Sequence, residues 1–181
     1  MTKHIFLDTC VLYSETLTDI ILRLADNGIV TPRWSQKVLD ELAKNLTKAM
    51  TPTHINYRIR QMSLSFPDAL IENYETSIPL VHSSIEDKHV MAAVLSTPER
   101  NLITFNLKDF PTHEYPDCKV HVYHPDDFLV EMFEAHANDM TTLCLTALSE
   151  YKEFPKTIDE FIFVLEKSRV PLFAQAIKSI L

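Results

Sequence analysis

The sequence predicts an α/β fold, because short apolar segments with the length of buried strands alternate with segments that have the periodicity of amphipathic helices. The clearest strand is Lys3 to Leu7, and Asp8 follows it at once. A second buried strand, Leu102 to Phe105, is followed by Asn106. Ligands of open α/β sheets gather at the carboxyl ends of the strands, so we expect polar residues there to form the functional site.

The segments after the first strand carry signals for helix ends. A helix at about Leu17 to Asn27 is expected to end at Gly28, the only glycine of the chain, which suits the left-handed residue that closes a helix. Ser35 is a suitable N-cap for the next helix. The apolar stripe of that helix comprises Val38, Leu39, Leu42 and Leu46. A further helix is predicted from about Thr53 to Leu64.

A helix is also expected to follow Ser83 and Ser84, which are suitable N-caps. A third strand, Lys119 to Tyr123, precedes a helix that starts near His124. From about His136 onwards the pattern is helical, with a capping box at Thr157 to Glu160 and a last helix from Pro171. This C-terminal part holds no grouping of catalytic residue types.

Composition restricts the class of protein. The chain has 181 residues, of which 46% are hydrophobic and 23% charged, as in ordinary globular proteins. No segment approaches the roughly 18 apolar residues of a membrane-spanning helix. The three cysteines are far apart and form no CxxC pair, which argues against a disulfide framework and a cysteine zinc site. We therefore expect a soluble protein of a reducing cytoplasm.

Net charge argues against indiscriminate coating of nucleic acid. The formal charge is −8, whereas such binding depends on neutralising phosphates with lysine and arginine. The segment from Arg33 to Arg60 is locally basic, however, with Asp40 and Glu41 as its only acids. A solvated helix face and a phosphate contact both explain this segment.

Four acidic residues stand at strand ends or at the margin of an apolar helix face: Asp8, Glu41, Asp87 and Asp109. Converging carboxylates require compensation, either a raised pKa or a bound hard cation, so a divalent-metal site is the leading hypothesis. Spacing alone also explains Glu41 as a solvated side chain and Asp87 as an acid in the first turn of a helix. Asn45, one turn after Glu41, is positioned to orient its carboxylate.

Five segments together resemble the ordered motifs of a PIN domain: Ile5 to Tyr13, Pro32 to Ser35 with Asp40 and Glu41, Asp87 to Ala93, Thr104 to Pro111, and His124 to Leu129. The helical tail is similar to the extension of a subgroup of VapC-like toxins. The resemblance implies a three-layer α/β/α fold with a central parallel sheet, comprising a nuclease domain of residues 1–130 and C-terminal helices in residues 131–181. It also implies hydrolysis of RNA phosphodiesters with Mg²⁺ or Mn²⁺.

By this resemblance, Asp8, Glu41 and Asp87 match the three core acids of the family. The fourth position falls on either Asn106 or Asp109, and Asp109 is preferred because it restores a fourth carboxylate. Asn106 would then act as a neutral ligand or orienting group. The family usually has asparagine where this chain has Cys10, which we interpret as a variation of the subgroup.

Other residues are expected to support this site. Thr9 and Thr104 could orient carboxylates by hydrogen bonds, although strand ends often carry threonine without such a role. RNA would approach the acidic site through the metal and through a set of basic side chains: Arg33, Lys37, Lys44, Arg58 and Lys108. The resemblance further implies an antitoxin protein as partner and a homodimer.

Two other functions agree with parts of the sequence. An aspartyl-nucleophile phosphatase also begins with an apolar strand and an aspartate, but it needs a second aspartate where Cys10 stands. A catalytically silent binding module that engages a protein partner is the second alternative, with the acids acting as helix caps or ion-pair partners. An assay for RNA cleavage distinguishes this module from a nuclease.

Overall fold

The computed structural model describes residues 2–81, 87–115 and 117–180. Its centre is a five-stranded, all-parallel sheet with the strand order β3-β2-β1-β4-β5 and helices packed against it. The strands are β1 Lys3–Leu7, β2 Val30–Ser35, β3 Leu70–Ile71, β4 Asn101–Ile103 and β5 His121–Tyr123. The predicted α/β/α class with a parallel sheet and C-terminal helices is confirmed.

The described α-helices are α1 Thr9–Leu12, α2 Glu15–Asp26, α3 Gln36–Leu46, α4 Pro52–Ser65, α5 Lys88–Leu95, α6 Pro125–Ala135, α7 Ala137–Glu150, α8 Ile158–Lys167 and α9 Pro171–Lys178. Short 3₁₀ turns occupy Pro67–Ala69, Tyr74–Leu80, Leu107–Asp109 and Thr112–Glu114. Within the described part of the chain, no helix has the length and apolar character needed to cross a membrane.

Local signals in the sequence explain several of these helix ends. The Ser35 hydroxyl accepts a hydrogen bond from the Val38 backbone N–H and caps α3, as predicted. Gly28 adopts a left-handed φ of 70° after α2, and the capping box of Thr157 and Glu160 opens α8. The predicted start of a helix at Ser83 lies outside the described residues.

Strands β2 and β3 were not predicted, and β2 contains a proline, Pro32. A proline lacks a backbone N–H and therefore argues against a central strand. In the structure Pro32 lies beside Ile5 of β1, while β3 pairs only with Trp34 and Ser35, beyond the proline. The edge of β2 that faces β3 is therefore unpaired at Pro32, and no hydrogen bond to β3 is lost through its missing N–H.

The C-terminal helices share one hydrophobic core with the sheet. Buried side chains of α7, α8 and α9, among them Met140, Phe161 and Phe173, belong to the same cluster as Phe6 of β1. The predicted domain boundary after residue 130 falls inside α6, and it stays a prediction.

Asp126 connects α6 to the start of α9. Its carboxylate is 4% exposed and accepts hydrogen bonds from the backbone N–H groups of Leu172, at 3.0 Å, and Phe173, at 2.8 Å. These donors belong to the first turn of α9, where amides have no partner within the helix. Asp126 therefore caps a helix that lies 46 residues further along the chain.

We expect Asp126→Ala to lower the free energy of unfolding by about 2–3 kcal/mol, because two amides lose a charged, buried acceptor. For a chain of this length the corresponding fall in Tm is roughly 5–10 °C, measurable by thermal denaturation. Asp127→Ala is the matched control, since Asp127 is exposed in the same helical turn and should cost less than about 1 kcal/mol. Equal effects of the two substitutions would contradict the capping role.

Candidate active site

Asp8 lies at the carboxyl edge of the sheet, between the two central strands. It follows β1 directly, and its backbone N–H donates to the Ile103 carbonyl at the end of β4, at 3.2 Å. Its side chain is 7% exposed. The parallel pairing of β1 with β4 therefore brings together the two polar strand ends that the sequence placed 96 residues apart, at Asp8 and Thr104.

Three neighbouring groups hold the Asp8 carboxylate. The Thr104 hydroxyl donates to Oδ2 at 2.6 Å, and the Cys10 thiol donates to the same oxygen at 3.1 Å. The backbone of Thr9 supplies a further hydrogen bond. Cys10 Sγ also accepts the Phe105 backbone N–H at 3.3 Å, so the thiol joins the loop after β4 to Asp8.

The electrostatics of Asp8 favour a nearby cation. Burial raises the pKa of Asp8 above its ordinary value, the three hydrogen bonds oppose this rise, and the charge of Asp87 adds to it. Burial also raises the pKa of the Cys10 thiol to about 12, so Cys10 is a hydrogen-bond donor and not a thiolate. A positive charge between Asp8 and Asp87 would offset both the desolvation and the repulsion.

Glu41 projects from α3 towards the same edge, with both carboxylate oxygens engaged. The Thr9 hydroxyl donates to Oε2 at 3.1 Å, and His89 Nε2 lies 3.0 Å from Oε1. The Glu41 side chain keeps 37% of its surface exposed. Asn45 lies exposed one turn further along α3, and the structure does not bring it to the Glu41 carboxylate.

His89 is a component of the site that the sequence reasoning missed. Its side chain is 5% exposed, and burial lowers its pKa; Glu41 opposes this change and Lys37 adds to it. A neutral imidazole donates one N–H, so Nε2–H to Glu41 is the assignment that fits the 3.0 Å contact. The Nδ1 atom is buried and has no hydrogen-bond partner among the described residues.

Asp87 and His89 come from one short segment at the start of α5. Asp87 is the N-cap residue of α5, and its backbone carbonyl accepts from the Val90 N–H at 3.0 Å. Asp8 and Asp87 both act on the charge of His89, as Glu41 does. The structure therefore gathers Asp8, Glu41 and Asp87 around one buried histidine. The signal in the sequence was the spacing of His89 two residues after a candidate acid.

The two candidates for the fourth position lie in the loop after β4, and both are exposed. The Asn106 backbone N–H donates to Thr104 Oγ1 at 3.0 Å, which places Asn106 two hydrogen bonds from Asp8. Asp109 ends the following 3₁₀ turn, and no described contact joins its carboxylate to Asp8. The choice of Asp109 over Asn106 stays a prediction.

Two of the five predicted RNA-binding residues have their guanidinium groups engaged within the fold. Arg33 donates to the Asp68 carbonyl and lies 3.4 Å from His4 Nδ1. Arg58 donates to the Leu12 carbonyl at 2.6 Å, and its pKa is lowered by burial.

The other three predicted RNA-binding residues, Lys37, Lys44 and Lys108, are exposed. Lys37 lies close enough to the site to lower the pKa of His89. Lys37 lies in the first turn of α3, and Lys108 lies in the 3₁₀ turn Leu107–Asp109 that follows β4.

The type of donor at this edge fits a hard divalent cation. Within residues 2–81, 87–115 and 117–180, no three histidine, cysteine, aspartate or glutamate side chains are grouped closely enough to hold a metal ion. Mg²⁺ does not require such a cage, because it commonly binds through one or two carboxylates and keeps several waters or substrate phosphates. The carboxylate of Asp8, whose pKa is raised by burial and by the charge of Asp87, is a ligand of this type.

Comparison with known proteins gives matches that agree with the arrangement of the fold. A family model, the VapC50 C-terminal domain, matches residues 125–179, which run from α6 to α9. A curated protein of Mycobacterium tuberculosis (strain ATCC 25618 / H37Rv), named "Putative ribonuclease VapC50", is 28% identical over 101 residues. These two matches support the predicted resemblance to a VapC-like PIN-domain protein with a C-terminal extension.

The match between this chain and the mycobacterial relative is partial. It covers 56% of the present chain and 59% of the relative, so the chain spans less than two thirds of the relative's length. The search of solved structures finds no match. The C-terminal helices are thus related to a named extension, while the details of the active site rest on the geometry described above.

Proposed function

We propose that this VapC-like protein is a metal-dependent endoribonuclease that hydrolyses RNA phosphodiester bonds. The observation that carries this proposal is the buried Asp8 carboxylate, whose pKa is raised by desolvation and by Asp87 at the carboxyl edge of the sheet. Carboxylates held in this way are suited to a divalent cation and to phosphate chemistry. The resemblance to a protein named as a ribonuclease supports the choice of RNA as substrate.

In this proposal Asp8 and Asp87 hold Mg²⁺ or Mn²⁺. When bound, such a cation lowers the pKa of a coordinated water and offsets the charge of the phosphate under attack. Thr104 and Cys10 keep the Asp8 carboxylate in one orientation through their contacts with Oδ2. Asp109 is proposed as the fourth acid, which would reach the site from the adjacent loop.

Glu41 is proposed to accept a proton from the attacking water or to bind the cation through water. Its carboxylate is fixed at one oxygen by Thr9 and at the other by His89, yet more than a third of the side chain is exposed. A carboxylate held in this way can act on a water in the site without first giving up rotational freedom. Lys37 and Lys108 lie exposed and would neutralise phosphates of the RNA.

The test is cleavage of RNA by the purified protein with Mg²⁺ or Mn²⁺, compared with the same reaction in excess chelator. We expect cleavage that requires the cation and is restored when the cation is added back, because burial and the charge of Asp87 disfavour the ionised Asp8 carboxylate when no cation is bound. Cleavage that continues in chelator would contradict the metal dependence. If no RNA is cleaved under any of these conditions, the catalytically silent binding module becomes the better interpretation.

We further propose that the protein is the toxin of a VapBC-type pair with an antitoxin protein as partner. The support is the similarity of residues 125–179 and of 101 aligned residues to VapC50 sequences. Expression of the chain should then arrest growth, and co-expression of the neighbouring gene product should relieve the arrest. Homodimerisation and a cytoplasmic location stay predictions.

A further inference from the structure

The loop between α8 and α9 brings the C-terminal extension to the rim of the candidate active site. Ser14, which follows α1, donates through its hydroxyl to Ser168 Oγ at 3.1 Å. The next residue, Arg169, places its Cζ atom 4.2 Å from the centre of the Phe105 ring. Val170 is fully buried and fixes the loop in the core. Three consecutive residues of the extension therefore anchor it near this edge of the sheet.

Phe105 belongs to the segment that holds Asp8. It follows Thr104, whose hydroxyl contacts Asp8 Oδ2, and its own N–H donates to Cys10 Sγ. Cys10 contacts the same oxygen of Asp8. The guanidinium of Arg169 consequently lies over the part of the loop that positions the most buried carboxylate of the site.

The guanidinium of Arg169 remains available for a ligand. Arg169 is exposed, and no carboxylate of the described residues lies within ion-pair distance of it. Stacking on an aromatic face leaves the N–H donors in the guanidinium plane free. A planar donor fork of this kind matches two oxygens of a phosphate group.

The backbone of Arg169 has a conformation that is strained for a residue with a side chain. Its φ is +66°, in the left-handed region that glycine adopts most readily. The Arg169 N–H donates to Glu166 and the Val170 N–H to Leu165, which closes the end of α8. Glycine would satisfy this closure with less strain, so the helix end alone does not explain the arginine.

We propose that Arg169 of the C-terminal extension binds a phosphate of the RNA strand at the candidate active site; this inference rests on the proposed ribonuclease function. Asp8, Glu41 and Asp87 repel a polyanion, and the guanidinium groups of Arg33 and Arg58 are engaged elsewhere. Arg169 supplies a cation, unpaired among the described residues, over Phe105, the residue that follows Thr104, whose hydroxyl contacts Asp8. The extension thereby becomes part of the substrate-binding surface and not only a covering for the core.

The experiment measures binding of a fluorescent single-stranded RNA by anisotropy, without metal and on an Asp8→Asn background so that no cleavage occurs. Arg169→Gly removes the guanidinium while retaining the left-handed backbone, and the Tm should stay within about 3 °C. We expect RNA affinity to fall about 5–10-fold at low salt, with the salt dependence reduced by about one phosphate contact. Arg169→Lys keeps the positive charge but loses the planar guanidinium. Its RNA affinity should therefore lie between that of the parent and that of Arg169→Gly.

Lys167→Ala is the matched control, because it removes an equal charge two residues earlier, where the ammonium lies 5.3 Å from the Phe163 ring. Its RNA affinity should remain within about 2-fold of the parent. Unchanged binding by Arg169→Gly, or equal losses in Arg169→Gly and Lys167→Ala, would overturn the proposal. Failure of the proposed function has a separate readout, the absence of RNA cleavage by the unmodified protein with Mg²⁺ or Mn²⁺.

In the protein with Asp8 intact, the same contact predicts that loss of Arg169 affects KM more than kcat. Arg169→Gly should raise KM about 5–10-fold and change kcat less than about 2-fold, because the guanidinium touches the strand and not the reacting groups. A fall in kcat of about 5–10-fold with an unchanged KM would overturn a role in binding the RNA strand.

Discussion

Asp8→Asn is expected to lower RNA cleavage by about 10²–10³-fold, while the fold remains intact. The substitution keeps the size of the side chain, and the amide oxygen can still accept the hydrogen bonds from Thr104 and Cys10. It removes the buried negative charge that, in the proposed mechanism, binds the cation together with Asp87. Loss of a group that stabilises developing charge in a site of this kind commonly costs about 10²–10³ in rate.

The same substitution should raise the stability of the metal-free protein. The folded-state pKa of Asp8 lies above its unfolded value, so the ionised carboxylate opposes folding at neutral pH. This penalty disappears as the pH falls through the raised pKa, because the folded protein then keeps the proton. Asparagine carries no charge at neutral or at acidic pH, so Asp8→Asn is free of this penalty in both conditions. The Tm of Asp8→Asn should therefore exceed that of the unmodified protein at pH 7, with a smaller difference under acidic conditions.

Divalent cation provides a third readout for Asp8. Mg²⁺ or Mn²⁺ should raise the Tm of the unmodified protein, because a ligand that binds only the folded state stabilises that state. The same cation should leave the Tm of Asp8→Asn nearly unchanged. Asp40→Asn is a suitable control, since Asp40 is an exposed acid of α3 whose carboxylate accepts from Gln36. A fall in Tm of Asp8→Asn without metal, or full cleavage by this variant, would be incompatible with the proposed site.

His89→Ala is expected to lower kcat about 10–100-fold with little change in KM, the range typical for loss of a residue that orients a catalytic or ligating group. The Glu41 carboxylate would lose its contact at Oε1 and keep only the Thr9 hydroxyl at Oε2. His89 does not need to touch the RNA for this effect, because it acts through Glu41. Initial rates at saturating and limiting RNA separate the two constants.

His89→Gln is the variant that distinguishes positioning from packing. Its amide N–H₂ can reach the place of the imidazole Nε2–H and donate to Glu41, so it should recover most of the lost kcat. Because His89 is 5% exposed, both variants need a Tm measurement, and alanine is expected to be the less stable of the two. Equal kcat values for alanine and glutamine at similar Tm would exclude a role in orienting Glu41.

Much of the fold could be predicted from local patterns. Ser35 and the capping box at Thr157 mark helix starts because their side chains satisfy backbone N–H groups only a few residues away. Gly28 marks a helix end for a similar local reason. The strand β2 was not predicted. Its Pro32 breaks a local rule for central strands, and the position of the short β3 beyond the proline makes the strand acceptable.

The candidate site, too, was predicted from the sequence only in part. Its acids could be proposed from strand ends and motif order, and the pairing of β1 with β4 accounts for the contact of Asp8 with Thr104. The partner of Glu41 could not be predicted, since spacing along α3 suggested Asn45 whereas packing of α5 supplies His89. Arg33 and Arg58 likewise counted as free cations in the sequence, although the fold engages both guanidinium groups.

By itself, therefore, the sequence determined the α/β class, the ends of several helices and the position of Asp8 directly after a strand, because these depend on residues that are neighbours along the chain. The tertiary structure alone decided that His89 holds Glu41, that Asp126 caps α9 and that Arg169 lies over Phe105. Each of these contacts joins residues 46 or more positions apart, and side-chain periodicity within one element carries no information about which distant element packs against it.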